Sequence, residues 1–211
     1  MGAKSALKLK VCGLCRAEDV TAAVGLGADL LGFVLAASPR QISRENLEEL
    51  VALVPSTIIT VAVVVDPCLE FADSLLNCVD RIQFHGNESP DFCSRFGRRA
   101  IKAFRIQHED DLRDLKPYES SVGAFLLDSF KKGQAGGTGH SFPWSYLDKK
   151  SFSLPTFLAG GLTASNVRDA LRVSSVSGLD LSSGLESEPG IKDRKKMMDF
   201  FNTVRQTKQE Q

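Results

Sequence analysis

Runs of apolar and β-branched residues recur along the chain, each closing on a polar or glycine-rich turn. They fall at residues 7–12, 30–35, 58–65, 79–84, 101–106, 122–127, 155–158 and 178–181. Several are apolar at consecutive rather than alternating positions, the pattern of strands buried on both faces, as in a parallel sheet. Between the runs the period changes to that of a helix. Leu47, Leu50, Val51 and Val54 form one apolar stripe at i, i+3, i+4, i+7. Met197, Phe200, Phe201 and Val204 repeat that spacing near the end, and Val20, Ala23, Val24 and Gly27 do so after the first strand. Weaker stripes follow the third run (Leu69, Ala72, Leu75, Leu76), the fourth (Phe92, Cys93, Phe96), the fifth (Leu112, Leu115) and the seventh (Val167, Ala170, Leu171). Ser43 and Thr163 stand where helix N-caps are expected, and Ser89-Pro90 puts a capping residue before a proline at the first helical position. The sixth helix has the poorest pattern, a short stretch at 144–149 after a long glycine-rich loop.

Eight strand–helix units predict a single (β/α)8 barrel over residues 1–205, with 206–211 a disordered polar tail. The chain has 211 residues, near the lower limit of about 200 for that fold. An open doubly wound sheet is the competing architecture. It usually has fewer strands, and the turn after the first run lacks its GxGxxG.

Charge and composition remove several functional classes. The 26 basic and 26 acidic side chains balance, so nothing electrostatic argues for nucleic acid or an anionic membrane as partner. The longest apolar runs, 30–37 and 58–65, fall far short of the ~18 residues of a membrane helix. Residues 1–8 have no apolar core for a signal peptide, and Ala6 breaks the myristoylation pattern. Five cysteines, an odd number, make no closed disulfide set and suggest a reducing, cytoplasmic setting. A monomer is expected, with neither nucleic acid nor membrane as partner.

In such barrels the chemistry sits at the C-terminal ends of the strands. Those ends present Cys12-Gly13, Ser38-Pro39-Arg40, Asp66, His85-Gly86, Asp128, Gly160-Gly161 and Ser182-Ser183-Gly184. The glycine pairs after the seventh and eighth strands, Gly160-Gly161 and Ser183-Gly184, suit a phosphate site, because bare backbone N–H groups can approach an anion there. The plainer alternative is two tight turns needing positive φ. Cys12 has three readings: a small core hydrophobe, a catalytic thiolate, or the first half of a redox or metal CxxC with Cys15. Cys68, Cys78 and Cys93 supply no second ligand pair, so no metal site is expected. Asp128 ends an apolar run and Asp180 lies inside one, so each is either a buried hydrogen-bond partner or a functional carboxylate. Arg40 is a loop cation, solvated or ligand-facing. His85 reads as a substrate-side hydrogen bonder rather than a metal ligand. Gly136-Gly137-Thr138-Gly139 suits a mobile lid or an anion nest, without Walker spacing.

Taken in order, these segments resemble the phosphoribosylanthranilate isomerase family of tryptophan biosynthesis. The resemblance runs from Lys10-Val11-Cys12-Gly13-Leu14 through Gly27-Ala28-Asp29, Gly32-Phe33 and Ser38-Pro39-Arg40-Gln41-Ile42-Ser43 to Gln83-Phe84-His85-Gly86. It continues with Leu127-Asp128, the glycine loop with Phe142 and Trp144, and Leu158-Ala159-Gly160-Gly161-Leu162. It closes on Asp180-Leu181-Ser182-Ser183-Gly184-Leu185-Glu186 and Pro189-Gly190-Ile191-Lys192-Asp193. Cys15, His140 and Pro143 depart from the common form. The resemblance implies a cofactor-free Amadori rearrangement of an N-ribosyl 5-phosphate of anthranilate. Asp128 would be the acid that opens the sugar ring, and Cys12 the base that takes the C2 proton, its thiol acidified by a nearby charge. Arg40 would pair with the aromatic carboxylate through its planar fork, Asp180 would hold a sugar hydroxyl, and the two glycine loops would hold the phosphate. Two other enzyme readings stand beside it: the related histidine-pathway isomerase, which carries an aspartate at the end of strand one, and a thiol-disulfide oxidoreductase using Cys12 and Cys15. A barrel that binds a sugar phosphate without turnover is the third.

Overall fold

The computed structural model describes residues 7–128, 144–147, 150–173 and 175–210. Its strands are β1 (Lys8–Cys12), β2 (Leu30–Val34), β3 (Ile59–Val64), β4 (Arg81–Phe84), β5 (Ala100–Arg105), β6 (Ala124–Asp128), β7 (Thr156–Ala159) and β8 (Gly178–Leu181). All are parallel and pair in chain order. β8 returns to β1 with Leu9 opposite Leu179 and Lys10 opposite Asp180, so the sheet closes and the open alternative is removed. The helices are α1 (Ala17–Leu26), α2 (Arg44–Val51), α3 (Leu69–Leu75), α4 (Pro90–Ser94), α5 (Val167–Arg172) and α6 (Arg194–Gln209). A two-stranded ribbon, β9 (Glu186–Glu188) with β10 (Ile191–Lys192), follows β8.

Two apolar clusters explain why consecutive strand positions are hydrophobic. The outward series, including Val11, Leu31, Ala62, Ile82 and Leu127, packs under the helices. The inward series, including Leu30, Val61, Ile101, Leu126 and Phe157, fills the barrel's centre. Successive strand side chains point to opposite faces, so each strand feeds both clusters. The helices deliver the stripes that their sequences promise: α2 buries Leu47 and Leu50, and α6 buries Met197, Phe200, Phe201 and Val204. Burying one such side chain is worth about 1.5–3 kcal/mol, so the barrel is held by these stripes rather than by helix propensity. Ser43 accepts from the Asn46 N–H and Ser89 from the Phe92 N–H, each at 3.2 Å, as capping residues do.

Four local readings are corrected. Thr163 is not the cap of α5. Asn166 accepts from the Thr163 N–H and donates to the Gly161 carbonyl, closing the loop, and the helix starts after it. The segment after β5 is a 3₁₀-helix over Glu109–Tyr118, not an α-helix. Asp111 takes the Gln107 and His108 N–H groups at its start, and Pro117 brings no N–H to its end. The weak sixth helix contributes one 3₁₀ turn, Trp144–Leu147, among the described residues. Finally α6 runs to Gln209, so residues 206–209, expected in a disordered tail, form its last turn, with Thr207 donating to the Thr203 carbonyl. The glycine loop at 136–139, with His140, Phe142 and Pro143, lies outside the described residues.

Candidate active site

The inward series changes character at the top of the barrel. On β6 it runs Ala124, Leu126, Asp128, two apolar residues and then a carboxylate. On β1 the same period of two carries Lys10 and Cys12 inward, and on β4 it carries Gln83, with His85 one step beyond the strand. A polar layer therefore caps an apolar plug. Above it opens a cavity of about 820 Å³, lined by Cys12, Arg40, His85, Asp128, Asp180 and both glycine loops. Of the candidates singled out in the sequence, Cys12, Arg40, His85, Asp128, Asp180, Gly160, Gly161, Ser183 and Gly184 face this one space, whereas Gly13, Cys15 and Gly86 do not line it and Asp66 has turned aside. Asp66 sits at φ 45° and accepts from the Asn87 N–H at 2.6 Å, while its own N–H goes to Glu88.

Cys12 is nearly buried and Lys10 wholly so. The Lys10 ammonium donates to Asp180 at 2.8 Å. An unpaired charge could not persist there, and removing one partner of a buried pair usually costs about 3–5 kcal/mol. Gly32 of β2 makes the room. A Cβ on it would stand 2.7 Å from the Cys12 Sγ and 3.1 Å from the Lys10 Nζ, so any side chain would displace both. Burial pushes the Cys12 thiol above its ordinary value, with Lys10 pulling against it. The expectation of an acidified thiol is thus corrected: the neighbouring cation is present, but desolvation outweighs it. Burial likewise pulls on the Lys10 ammonium, yet Asp180 and Cys12 together hold it above the usual lysine value.

Asp128 and His85 meet across β5. The His85 Nε2 lies 3.6 Å from the Asp128 carboxylate, and both side chains are about one-fifth exposed, at 22% and 19%. The Gln83 amide nitrogen sits 3.4 Å from His85 Nδ1, which leaves the ring proton on Nε2, facing Asp128. The Gln83 Oε1 and His85 Nε2 find no hydrogen-bond partner among the described residues, so the first can accept from a polar ligand and the second can donate to one.

Arg40 is not a solvated charge. Its Nε and Nη2 grip Glu186 at 2.7 and 2.6 Å, and Lys192 reaches the same carboxylate at 2.8 Å. Burial alone would raise the Glu186 carboxyl, but these hydrogen bonds hold it below the usual range. The fork expected to clasp a ligand carboxylate is therefore engaged already, and Nη1 is the edge left for a ligand. Cys15 donates to the Arg40 and Gly13 carbonyls, which ties this loop to the end of β1. All five cysteines are free thiols.

The glycine loops converge. Gly160 and Gly161 both adopt positive φ, at 98° and 63°, a region open to glycine at little cost. Gly184 lies against the Leu162 carbonyl, so the loops after β7 and β8 touch and turn their backbones to one corner of the cavity. The residues 183–185 make a short 3₁₀ turn there. Among the described residues no group of three His, Cys, Asp or Glu side chains is arranged for a metal, and no helix is long and apolar enough to cross a membrane.

Lys10, Gln83, Glu186 and Lys192 enter the sequence reading only inside the resembling segments, with no role assigned, and Arg105, which lines the cavity, does not enter it at all. A lysine at the inward period of an apolar strand is itself a signal, because such a charge must find a buried partner. Glu186 and Lys192 leave no trace in the hydrophobic pattern, since they lie on a short ribbon without alternation.

Residues 9–203 match the family model described as N-(5'phosphoribosyl)anthranilate (PRA) isomerase. The N-(5'-phosphoribosyl)anthranilate isomerase of Pelobacter propionicus is 38% identical over 207 residues, covering 97% of this chain and 98% of that protein. The enzyme of the same name from Geotalea uraniireducens is 41% identical over 202 residues, covering 94% and 98%. Among solved structures, phosphoribosyl anthranilate isomerase from Thermotoga maritima superposes with a TM-score of 0.86 at 30% identity, covering 95% of this chain and 99% of that one. A structure of such an enzyme in complex with reduced 1-(o-carboxyphenylamino)-1-deoxyribulose 5-phosphate superposes at 0.84 with 29% identity and the same coverage.

Proposed function

The chain belongs to the N-(5'-phosphoribosyl)anthranilate isomerase family, and from that premise we propose how this isomerase divides its proton transfers: Asp128 is the general acid and Cys12 the general base. One observation carries the proposal. The two side chains face a single cavity whose remaining walls match the remaining parts of the substrate.

Asp128 gives its proton to the furanose ring oxygen. The C1–O bond breaks as the anilino nitrogen lone pair forms C1=N, and the sugar opens to a Schiff base. The Nε2–H of His85 then steadies the carboxylate that remains. Cys12, as thiolate, takes the C2 proton, and the electrons left behind form the enolamine. Proton return at C1 and loss of the enol proton give the ketone, so the reaction is redox-neutral within one molecule and consumes no proton overall. The backbone N–H groups around Gly160, Gly161, Ser183 and Gly184 receive the phosphate. One Asp180 oxygen is committed to Lys10; its carboxylate also lines the cavity, where it takes a sugar hydroxyl. We further propose a cytoplasmic monomer that acts without a cofactor, with every group assigned above coming from one chain.

The test is direct. With the fluorescent anthranilate ribosyl phosphate generated in place, its signal should decay at a rate proportional to added protein. Decay no faster than in buffer would remove the proposal.

Arg40 is assigned to the aromatic carboxylate through Nη1, with Glu186 holding the opposite edge. Arg40→Ala is expected to weaken substrate binding by about 1.5–3 kcal/mol, the range for hydrogen bonds to charged groups. An analogue lacking the carboxylate should bind parent and variant alike. Equal losses on both ligands would mean that Arg40 serves only Glu186.

A further inference from the structure

We infer that Lys10 is a positioning residue for the base: its buried ammonium, held in place by Asp180, stabilises the Cys12 thiolate. This rests on the reading of Cys12 as general base and adds a residue to it.

The geometry is specific. Lys10 and Cys12 are two residues apart on β1, so both point inward, and a lysine stem is long enough to carry its head up to the next inward residue. Asp180, at the same register on β8, fixes that head at 2.8 Å. Gly32 on β2 gives the ammonium and the thiol one shared space, within 3.1 and 2.7 Å of where its Cβ would be. An ammonium has three donors; Asp180 takes one, and the thiol faces the others.

Charge balance points the same way. The charged groups around Cys12 are Lys10 on β1, Asp180 on β8, Lys192 on the ribbon with Glu186 bound to it, and Arg40 after β2, with Asp128, His85 and Arg105 across the cavity. Near the thiol this makes three cations against two carboxylates, as Asp180 balances Lys10 and Glu186 is shared by Arg40 and Lys192. One positive charge is left over when Cys12 is neutral, and a thiolate completes the set. Lys10 is the cation with the greatest pull on the thiol, and Asp180 opposes it.

That opposition gives a test with two signs. The rate of Cys12 alkylation by iodoacetamide is measured against pH, with fragment ions separating Cys12 from Cys15. Lys10→Met should raise the midpoint by about 1–3 pH units, the effect of losing an opposite charge at this range. Asp180→Asn should lower it. A general loosening of the barrel would move both variants in the same direction, and that result, or an unmoved midpoint in Lys10→Met, overturns the inference. Lys10→Met strands a buried carboxylate and can fail to fold, so the double variant Lys10→Met/Asp180→Asn serves as its substitute. Its midpoint should remain above the parent's, because the pull of Lys10 exceeds the push of Asp180, and a midpoint at or below the parent's overturns the inference. The acid limb of kcat/KM separates the two readings. If the thiol midpoint shifts in Lys10→Met and the acid limb follows it, both stand. If the thiol shifts and the limb does not, Lys10 still governs the thiol, but Cys12 is not the base.

Discussion

Replacing Asp128 by asparagine is expected to lower turnover by about two orders of magnitude or more while the melting temperature stays close to that of the parent. The amide keeps the shape of the carboxyl and a donor toward the cavity, but it has no proton to give the ring oxygen. The position is otherwise well suited to the change. Asp128 tops an inward column whose lower members, Ala124 and Leu126, are apolar, so a neutral amide of the same shape is accommodated there, and stability can even rise. A structural aspartate would behave in the opposite way, with a lower melting temperature and a modest loss of rate. Kinetics with purified protein, paired with thermal unfolding, separate the two cases. Binding of a reduced open-chain product analogue should survive, because ring opening is already complete in that ligand. Turnover within about threefold of the parent would take Asp128 out of the mechanism, since general acid catalysis contributes far more than that.

The second large effect falls on Cys12. Cys12→Ser keeps the size and a hydrogen-bonding hydroxyl but loses an accessible anion, and turnover should fall by about 10²–10⁴. Cys15→Ser, three residues away, should leave turnover largely intact, because that thiol serves the Gly13 and Arg40 carbonyls rather than the cavity. Steady-state assays of the two variants side by side read the contrast. Equal damage from both would favour dithiol chemistry over a lone base. The structure adds a condition that the sequence did not suggest: burial holds the Cys12 thiol up, so the parent's kcat/KM should climb with pH on its acid side and settle only above the ordinary thiol range.

Much of the barrel is legible in the sequence for a plain reason. A strand buried on both faces needs apolar residues at consecutive positions, and 30–35 or 58–65 could hardly be anything else between polar turns. The stripes of α2 and α6 are legible because each helix has one wet face. What the pattern hides is set by hydrogen bonds of single side chains. Asn166 delays α5 and Asp111 tightens the turn after β5, and neither belongs to any period. At the site, strand ends mark Cys12, Asp128 and the glycine loops, since closure of the sheet brings strand ends together whatever their separation in the chain. The engagement of Arg40 is invisible by the same logic. Its partner, Glu186, is 146 positions away on a ribbon that alternation does not predict. The acidity expected of Cys12 fails because the depth of burial that outweighs a neighbouring cation leaves no mark in the sequence.

The apolar plug beneath the polar layer has a kinetic consequence. With Ile101, Leu126 and Phe157 filling the barrel's centre, the site among the described residues is a cup closed at its base. On the proposed assignment, substrate and product share the open end, and the product keeps both the phosphate and the aromatic carboxylate by which the substrate is held. Each round must empty the cup before the next can begin. Turnover in such a vessel is paced by departure as well as by chemistry, and accumulated product competes with incoming substrate at the threshold, so the grip that selects the right molecule also limits how fast it can be let go.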